Sequence, residues 1–202
     1  MKIFHTELII RAGAFPQSAE WRNIHNDIIT AIQSIEWPSG SGSFTLYDES
    51  GKKRGKGNGV KPIKQACMRK LESLGWKLET PVDIATVRRP GPMDATFRVK
   101  DRLFCVEWET GNISSSHRAV NKMALGIIKD ILIGGAMILP TRKMYNYLTD
   151  RVGNFPELMP YFPLWKSLNV DDGLLAVIAI EHDAVSKEVE RIPKGTDGRA
   201  LL

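Results

Sequence analysis

Three acidic residues are spaced for metal-assisted hydrolysis: Asp94, Glu107 and Glu109. Glu107 and Glu109 flank Trp108, and Val106 precedes them. If this run is a strand, side-chain alternation places both glutamates on one face and sends Val106 and Trp108 to the other, toward a core. Asp94 lies thirteen positions before Glu107. That interval fits a strand, a tight turn and a return strand, which would bring Asp94, behind Gly91-Pro92, up to Glu107. Three carboxylates gathered at a sheet edge repel one another unless cations neutralise them. Hard oxygen donors suit Mg²⁺, which keeps several waters and binds through a few carboxylates plus substrate phosphate oxygens; Mn²⁺ is expected to substitute. Ions held this way can activate a water, align it with a scissile phosphate and stabilise the leaving oxygen. A Glu-x-Glu pair alone reads more simply as a solvated strand face. Asp94 at hairpin distance moves the reading toward a metal site.

The elements that must position these acids are mixed in period. Strands are expected over 2–11, 44–47, 82–87, 94–99, 102–109, 134–139 and 174–181, with 94–99 and 102–109 joined by a turn at Lys100-Asp101. Helices are expected over 17–35 with Ser18 as cap, 62–74 with Pro62 in the first turn and Gly75 as stop, 114–129, 142–150 and 155–167. The polar, Gly-rich stretch 48–59, with Lys52, Lys53, Arg54 and Lys56, reads as an exposed loop. It is open whether it lies beside nucleic-acid phosphates or is only solvated. The fold class expected is α/β (α+β mixed): a central mixed sheet with helices on both sides, in one domain over 1–202, with 188–202 as a C-terminal arm.

A length of 202 residues suits one domain, and 43% hydrophobic against 25% charged residues gives ample core material. The net charge of +5 permits nucleic-acid binding without requiring it. No run approaches the roughly 18 apolar residues a membrane helix needs. The N-terminus lacks a signal-peptide pattern, so a cytoplasmic protein with no membrane partner is expected. Cys67 and Cys105 have no metal-type spacing and are expected as reduced, buried thiols.

The nuclease pattern PD…(D/E)xK is met in part. Pro92 precedes Asp94 by two positions, and Glu109 stands where that superfamily mostly has Lys. A Glu there would add a ligand or accept a proton from the attacking water.

A longer set of matches is more specific. The run from Glu107 through Thr110-Gly111-Asn112-Ile113-Ser114-Ser115-Ser116-His117-Arg118 strongly resembles the catalytic and recognition segment of BamHI-type type II restriction endonucleases. Collinear with it, Asn58-Gly59-Val60-Lys61-Pro62-Ile63-Lys64, Tyr147-Leu148-Thr149-Asp150-Arg151-Val152 with Asn154-Phe155, and Ile192-Pro193-Lys194-Gly195-Thr196-Asp197-Gly198 resemble the same family. The resemblance implies a homodimer that cuts duplex DNA at a palindrome of the GGATCC kind after the first G, leaving four-base 5′ overhangs. It implies a companion DNA methyltransferase in the host. It implies that Asp94 and Glu107 bind metal, that Glu109 is ligand or general base, and that Glu79 is an auxiliary acid near the metals; alone, Glu79 is a surface acid before a strand.

For DNA, the resemblance points to Asn112, Ser114, Arg118, Asp150, Arg151, Lys64, Gly195 and Asp197. Asn112, Ser114 and Arg118 would lie at a helix N-terminus, where free N–H groups favour phosphates. Arg pairs bidentately with guanine, and Asp accepts from cytosine N4. Without the resemblance, Asp150-Arg151 reads as a surface ion pair and Lys64 as an exposed helix lysine. His117 is expected to pack rather than catalyse. The helix 114–129 would pack on the sheet and, by the resemblance, build the subunit interface. Two departures stand out: the chain stops at Leu202, short of the family's basic tail, and Arg199 occupies a Met position of the minor-groove arm. Two other functions stay open on the residues alone: a less specific repair or recombination nuclease, and a non-catalytic DNA-binding protein on the same scaffold.

Overall fold

In the computed structural model, which describes residues 1–53, 55–84, 91–149 and 152–194, the two most apolar runs become the middle of a sheet. These are β6 (Leu132–Pro140) and β7 (Gly173–Glu181), buried along almost their whole length and paired in parallel. Strands buried on both faces read as continuous apolar runs, which is why these two show no alternation. Around them lie β1 (Lys2–Ala12), β5 (Arg102–Trp108), β4 (Pro92–Val99) and β3 (Lys77–Pro81), in the order β1-β7-β6-β5-β4-β3. The β5–β6–β7 centre is parallel and both flanks are antiparallel. A separate parallel pair joins β2 (Thr45–Tyr47) to β8 (Ala184–Ser186).

Each sheet face is covered. On one, α1 (Ala19–Gln33) and α2 (Lys61–Ser73) bury Ile24, Ile28, Ile32, Ile63, Cys67 and Leu71 against Phe104, Val106 and Ala176. On the other, α3 (Ile113–Ile128) lays Val120, Met123 and Ile127 on Cys105, Met137 and Leu175. Ser18 caps α1 by accepting the Trp21 N–H at 3.0 Å. Ser18→Ala is expected to lower stability by about 1 kcal/mol, read as a melting temperature lower by roughly 2–4 °C. Both cysteines are free and buried.

Several boundaries differ from the sequence reading, each for a physical reason. The strand expected over 82–87 lies earlier, at β3, because Leu78 pairs with Ala95. Val82 and Ile84 are still buried, in the α3-side core, and residues 85–87 fall outside the described residues. The helix expected over 142–150 is a single turn, α4 (Arg142–Tyr145), since residues 146–149 are drawn onto Gly51 and Asn58. The helix expected over 155–167 breaks into α5 (Phe155–Leu158), a 3₁₀ turn at Met159–Tyr161 and α6 (Phe162–Lys166). Pro156, Pro160 and Pro163 remove the N–H donors a continuous helix needs. The stretch expected as a C-terminal arm is anchored before Lys194: Ile192 is buried, and its carbonyl accepts the Gly59 N–H at 3.0 Å.

Candidate active site

The β4–β5 ladder closes at Ala95↔Val106, and the next residues on each strand are Asp94 and Glu107. Beyond that pair β5 continues along β6 as far as Trp108↔Ile138, while β4 continues along β3. The Trp108 N–H, which would otherwise seek a β4 carbonyl, donates to Asp94 Oδ2 at 2.8 Å. The other Asp94 oxygen forms an ion pair with Lys64 Nζ of α2. Asp94 is thus a buried carboxylate locked by one backbone amide and one ammonium.

Glu107 stands beside it with less help. Burial first, and then the Asp94 charge, push the Glu107 carboxyl up from 4.5 to about 8, against the opposing pull of Lys122 and Lys64. Glu79, across β4, adds to the same repulsion. It sits between the pairs Leu78↔Ala95 and Thr80↔Met93, in line with Asp94, with φ 47°. That left-handed conformation is uncommon for a side chain other than Gly or Asn and tends to persist at functional sites.

Glu109 behaves differently. Its backbone still follows the sheet, donating to the Ile138 carbonyl at 2.9 Å. Its carboxylate accepts from the Gly111 N–H at 2.6 Å and from the Ser116 hydroxyl. Burial raises its pKa, while the hydrogen bonds from Ser116, Gly111 and Thr110 oppose the rise. A Cβ on Gly153 would lie 2.3 Å from Ser116 Oγ, so a side chain there would displace the hydroxyl that holds this carboxylate. The structure sets Asp94 beside Glu107 and ties Glu109, which still feels the Asp94 charge, to the start of α3. Among the described residues no three His, Cys, Asp or Glu side chains gather as a metal-holding group.

Asn112 caps α3, its Oδ1 accepting from the Ser114 and Ser115 N–H groups at 3.1 and 3.3 Å. Ser114 and Arg118 are exposed one turn apart. One turn further, Lys122 reaches the Gly91 carbonyl at 2.6 Å. His117 packs its ring against Tyr161 and Trp165, at 4.3 and 5.7 Å between centroids. Asp150, Arg151, Gly195, Asp197 and Arg199 lie outside the described residues. Sequence reasoning missed Ser116 and Lys122. The spacing Ser114-Arg118-Lys122, four residues each, was the available signal for Lys122; Ser116 had none.

The chain matches the family described as Restriction endonuclease BamHI over residues 1–199. It belongs to the BamHI restriction endonuclease family. Similarity to curated members is extensive. The chain is 52% identical over 201 residues to the type II restriction enzyme OkrAI of Oceanobacter kriegii, covering 100% of both. It is 37% identical over 181 residues to the type II restriction enzyme BamHI of Bacillus amyloliquefaciens, covering 86% of this chain and 81% of that one. The fold resembles a crystal structure of restriction endonuclease BglII complexed with a DNA 16-mer, with a TM-score of 0.64 at 12% identity, over 95% of this chain and 88% of that one. The BamHI-family chain is therefore a type II restriction endonuclease by family, on the mixed helix-flanked sheet expected from its sequence.

Restriction endonucleases generally use a divalent metal, and the residues present fit one. Two adjacent carboxylates, with Glu107 held back from ionising by burial and then by the Asp94 charge, form a hard-oxygen pair that a divalent cation would neutralise. Among the described residues of this BamHI-family chain, no helix is long and apolar enough to cross a membrane.

Proposed function

We propose that the chain is a cytoplasmic, Mg²⁺-dependent endonuclease that acts as a homodimer on duplex DNA at a GGATCC-type palindrome, cutting after the first G. The observation that carries this reading is the Asp94–Glu107 pair at the parting of β4 and β5, flanked by Lys64 and Lys122. Asp94 and Glu107 would hold Mg²⁺, with Mn²⁺ as a substitute and Glu79 as an auxiliary acid. The ion would supply an activated water and charge stabilisation at the scissile phosphate.

The chain's own groups perform the rest. Lys64, whose Nζ pairs with Asp94, would offer its charge to the phosphate oxygens. Glu109, with a raised pKa and a carboxylate oriented by Ser116 and Gly111, accepts the proton of the attacking water. Asn112 holds the N-terminal turn of α3, so that Ser114 and Arg118 face the duplex; Arg118 forms no ion pair or hydrogen bond among the described residues. Asp150 and Arg151 would read base edges, and Gly195 and Asp197 would enter the minor groove. Exposed Ile128, Met159, Tyr161 and Leu164 beside α3 support a subunit contact there, and a twofold dimer matches a palindrome. A companion methyltransferase would protect host DNA without contacting this chain.

Digesting one plasmid with Mg²⁺ and sequencing the fragment ends tests the reading. Discrete fragments ending in four-base 5′ overhangs are expected. A smear would favour a nuclease of low specificity, and no cleavage a non-catalytic binder. Arg118→Ala is expected to weaken cognate binding by about 1–3 kcal/mol while sparing a scrambled duplex. Equal losses on both duplexes in a titration would contradict a base-reading role.

A further inference from the structure

Asn58 is fully buried, yet every polar atom of its side chain and backbone is engaged. Its Oδ1 accepts from the Tyr47 N–H at 3.2 Å and the Ile192 N–H at 3.3 Å. Its Nδ2 donates to the Tyr47 and Tyr147 carbonyls, both at 2.9 Å. Its own N–H donates to the Tyr147 carbonyl, and its carbonyl accepts from the Thr149 N–H, both at 2.7 Å. One side chain thus joins β2, the segment 146–149 and the segment around Ile192. The next residue, Gly59, donates to the Ile192 carbonyl, and Val60 is the N-cap of α2, which carries Lys64.

The chain continues from Thr149 directly into Asp150-Arg151, and from Lys194 into Gly195-Thr196-Asp197. We propose that Asn58 is a positioning residue for DNA recognition: it fixes the segment leading to the major-groove readers and the segment leading to the minor-groove arm relative to each other and to Lys64. This rests on the recognition roles proposed above. A buried amide with all its hydrogen bonds made holds its partners in one arrangement, because moving any of them leaves a buried polar group unpaired. Two glycines make the junction tight. A Cβ on Gly51 would overlap the Leu148 carbonyl oxygen, and one on Gly59 would overlap the Pro193 carbonyl oxygen. Gly51 therefore touches one recognition segment and Gly59 the other, with Asn58 between.

The test uses the full-length protein carrying Asn58→Asp, Gly51→Ala or Gly59→Ala. Asn58→Asp keeps both acceptor contacts and loses the two Nδ2 donors. Amide hydrogen exchange is followed at Thr149 and Ile192, with the β6 amides as an internal stability control. Binding is measured on a GGATCC duplex and a scrambled one. Asn58→Asp is expected to speed exchange at Thr149 and Ile192 together, leave β6 unchanged, and lower the cognate-to-scrambled affinity ratio about tenfold. Gly51→Ala is expected to speed Ile192 as well as Thr149, and Gly59→Ala to speed Thr149 as well as Ile192. Each glycine variant loosening only its own segment, or an unchanged affinity ratio with both segments loosened, would overturn the proposal. Wild-type protein that does not prefer the GGATCC duplex would instead defeat the recognition reading; the exchange pattern then judges the clamp by itself.

Discussion

Glu107→Gln is expected to cut the cleavage rate about a thousandfold, since a metal contributes several kcal/mol, here taken as about 4, to transition-state stabilisation. The variant keeps the shape of the site and removes the charge that would hold the ion. Duplex binding without metal is expected to be undiminished, because Gln carries no charge to repel the DNA backbone. Burial and the neighbouring Asp94 raise the Glu107 carboxyl to about 8. A carboxyl whose folded pKa lies above its unfolded value binds its proton more tightly when folded. Its stabilising contribution is complete below about pH 4.5 and is lost as pH rises through about 8. In chelator, wild-type protein should therefore lose stability between pH 5 and pH 8.5 while Glu107→Gln does not.

At pH 8.5 the variant should be the more stable, by on the order of 2 kcal/mol, and its melting temperature higher by roughly 4–8 °C. Adding Mg²⁺ should reverse the order by stabilising wild type alone, by about 2.7 kcal/mol at a hundredfold excess over Kd. Parallel melting curves for the two proteins across this pH range, with and without Mg²⁺, would show that Glu107 is not the charge the site must neutralise.

Glu109→Gln is expected to lower single-turnover cleavage by about 10²–10⁴-fold, the usual contribution of a positioned general base, with cognate binding unchanged. Gln retains the acceptor oxygen facing Gly111 but cannot take up the proton. Ser116→Ala sharpens the test. The Ser116 hydroxyl bond lowers the Glu109 pKa against the upward push of burial. Removing it raises that pKa, so the acid limb of the pH–rate profile should move to higher pH while the alkaline plateau stays close to wild type. A limb that stays in place, or moves down, would exclude Glu109 as the group that takes the proton. Glu109→Lys asks a separate question. Retained cleavage would show that the superfamily's usual Lys can serve here and that Glu is not uniquely required.

Much of the framework was legible without coordinates because it is local and periodic. The alternation from Val106 to Glu109 put the glutamates and the apolar residues on opposite faces. The thirteen-residue interval from Asp94 to Glu107 fitted a hairpin, and Lys100, at φ 55°, makes its turn. Ser18 was recognisable as a cap from residue type and position, and the continuous apolar runs of β6 and β7 marked the buried centre. The errors occurred where non-local pairing overrode local pattern: β3 was placed late because Val82 and Ile84 are apolar for core packing, not for pairing, and 146–149 left its helix to meet Asn58.

By itself the sequence determined which residue types could meet on a strand face, where helices begin, and which family the chain resembles. Tertiary structure alone decided that Lys64, thirty residues before Asp94, would neutralise it, that the Ser116 hydroxyl would hold the Glu109 carboxylate, and that Asn58 would tie together Tyr47, Tyr147 and Ile192. The difference is physical. Alternation and capping repeat along the chain and leave a period to read. A buried polar group finds its partner wherever packing delivers one, and that meeting has no spacing in the sequence.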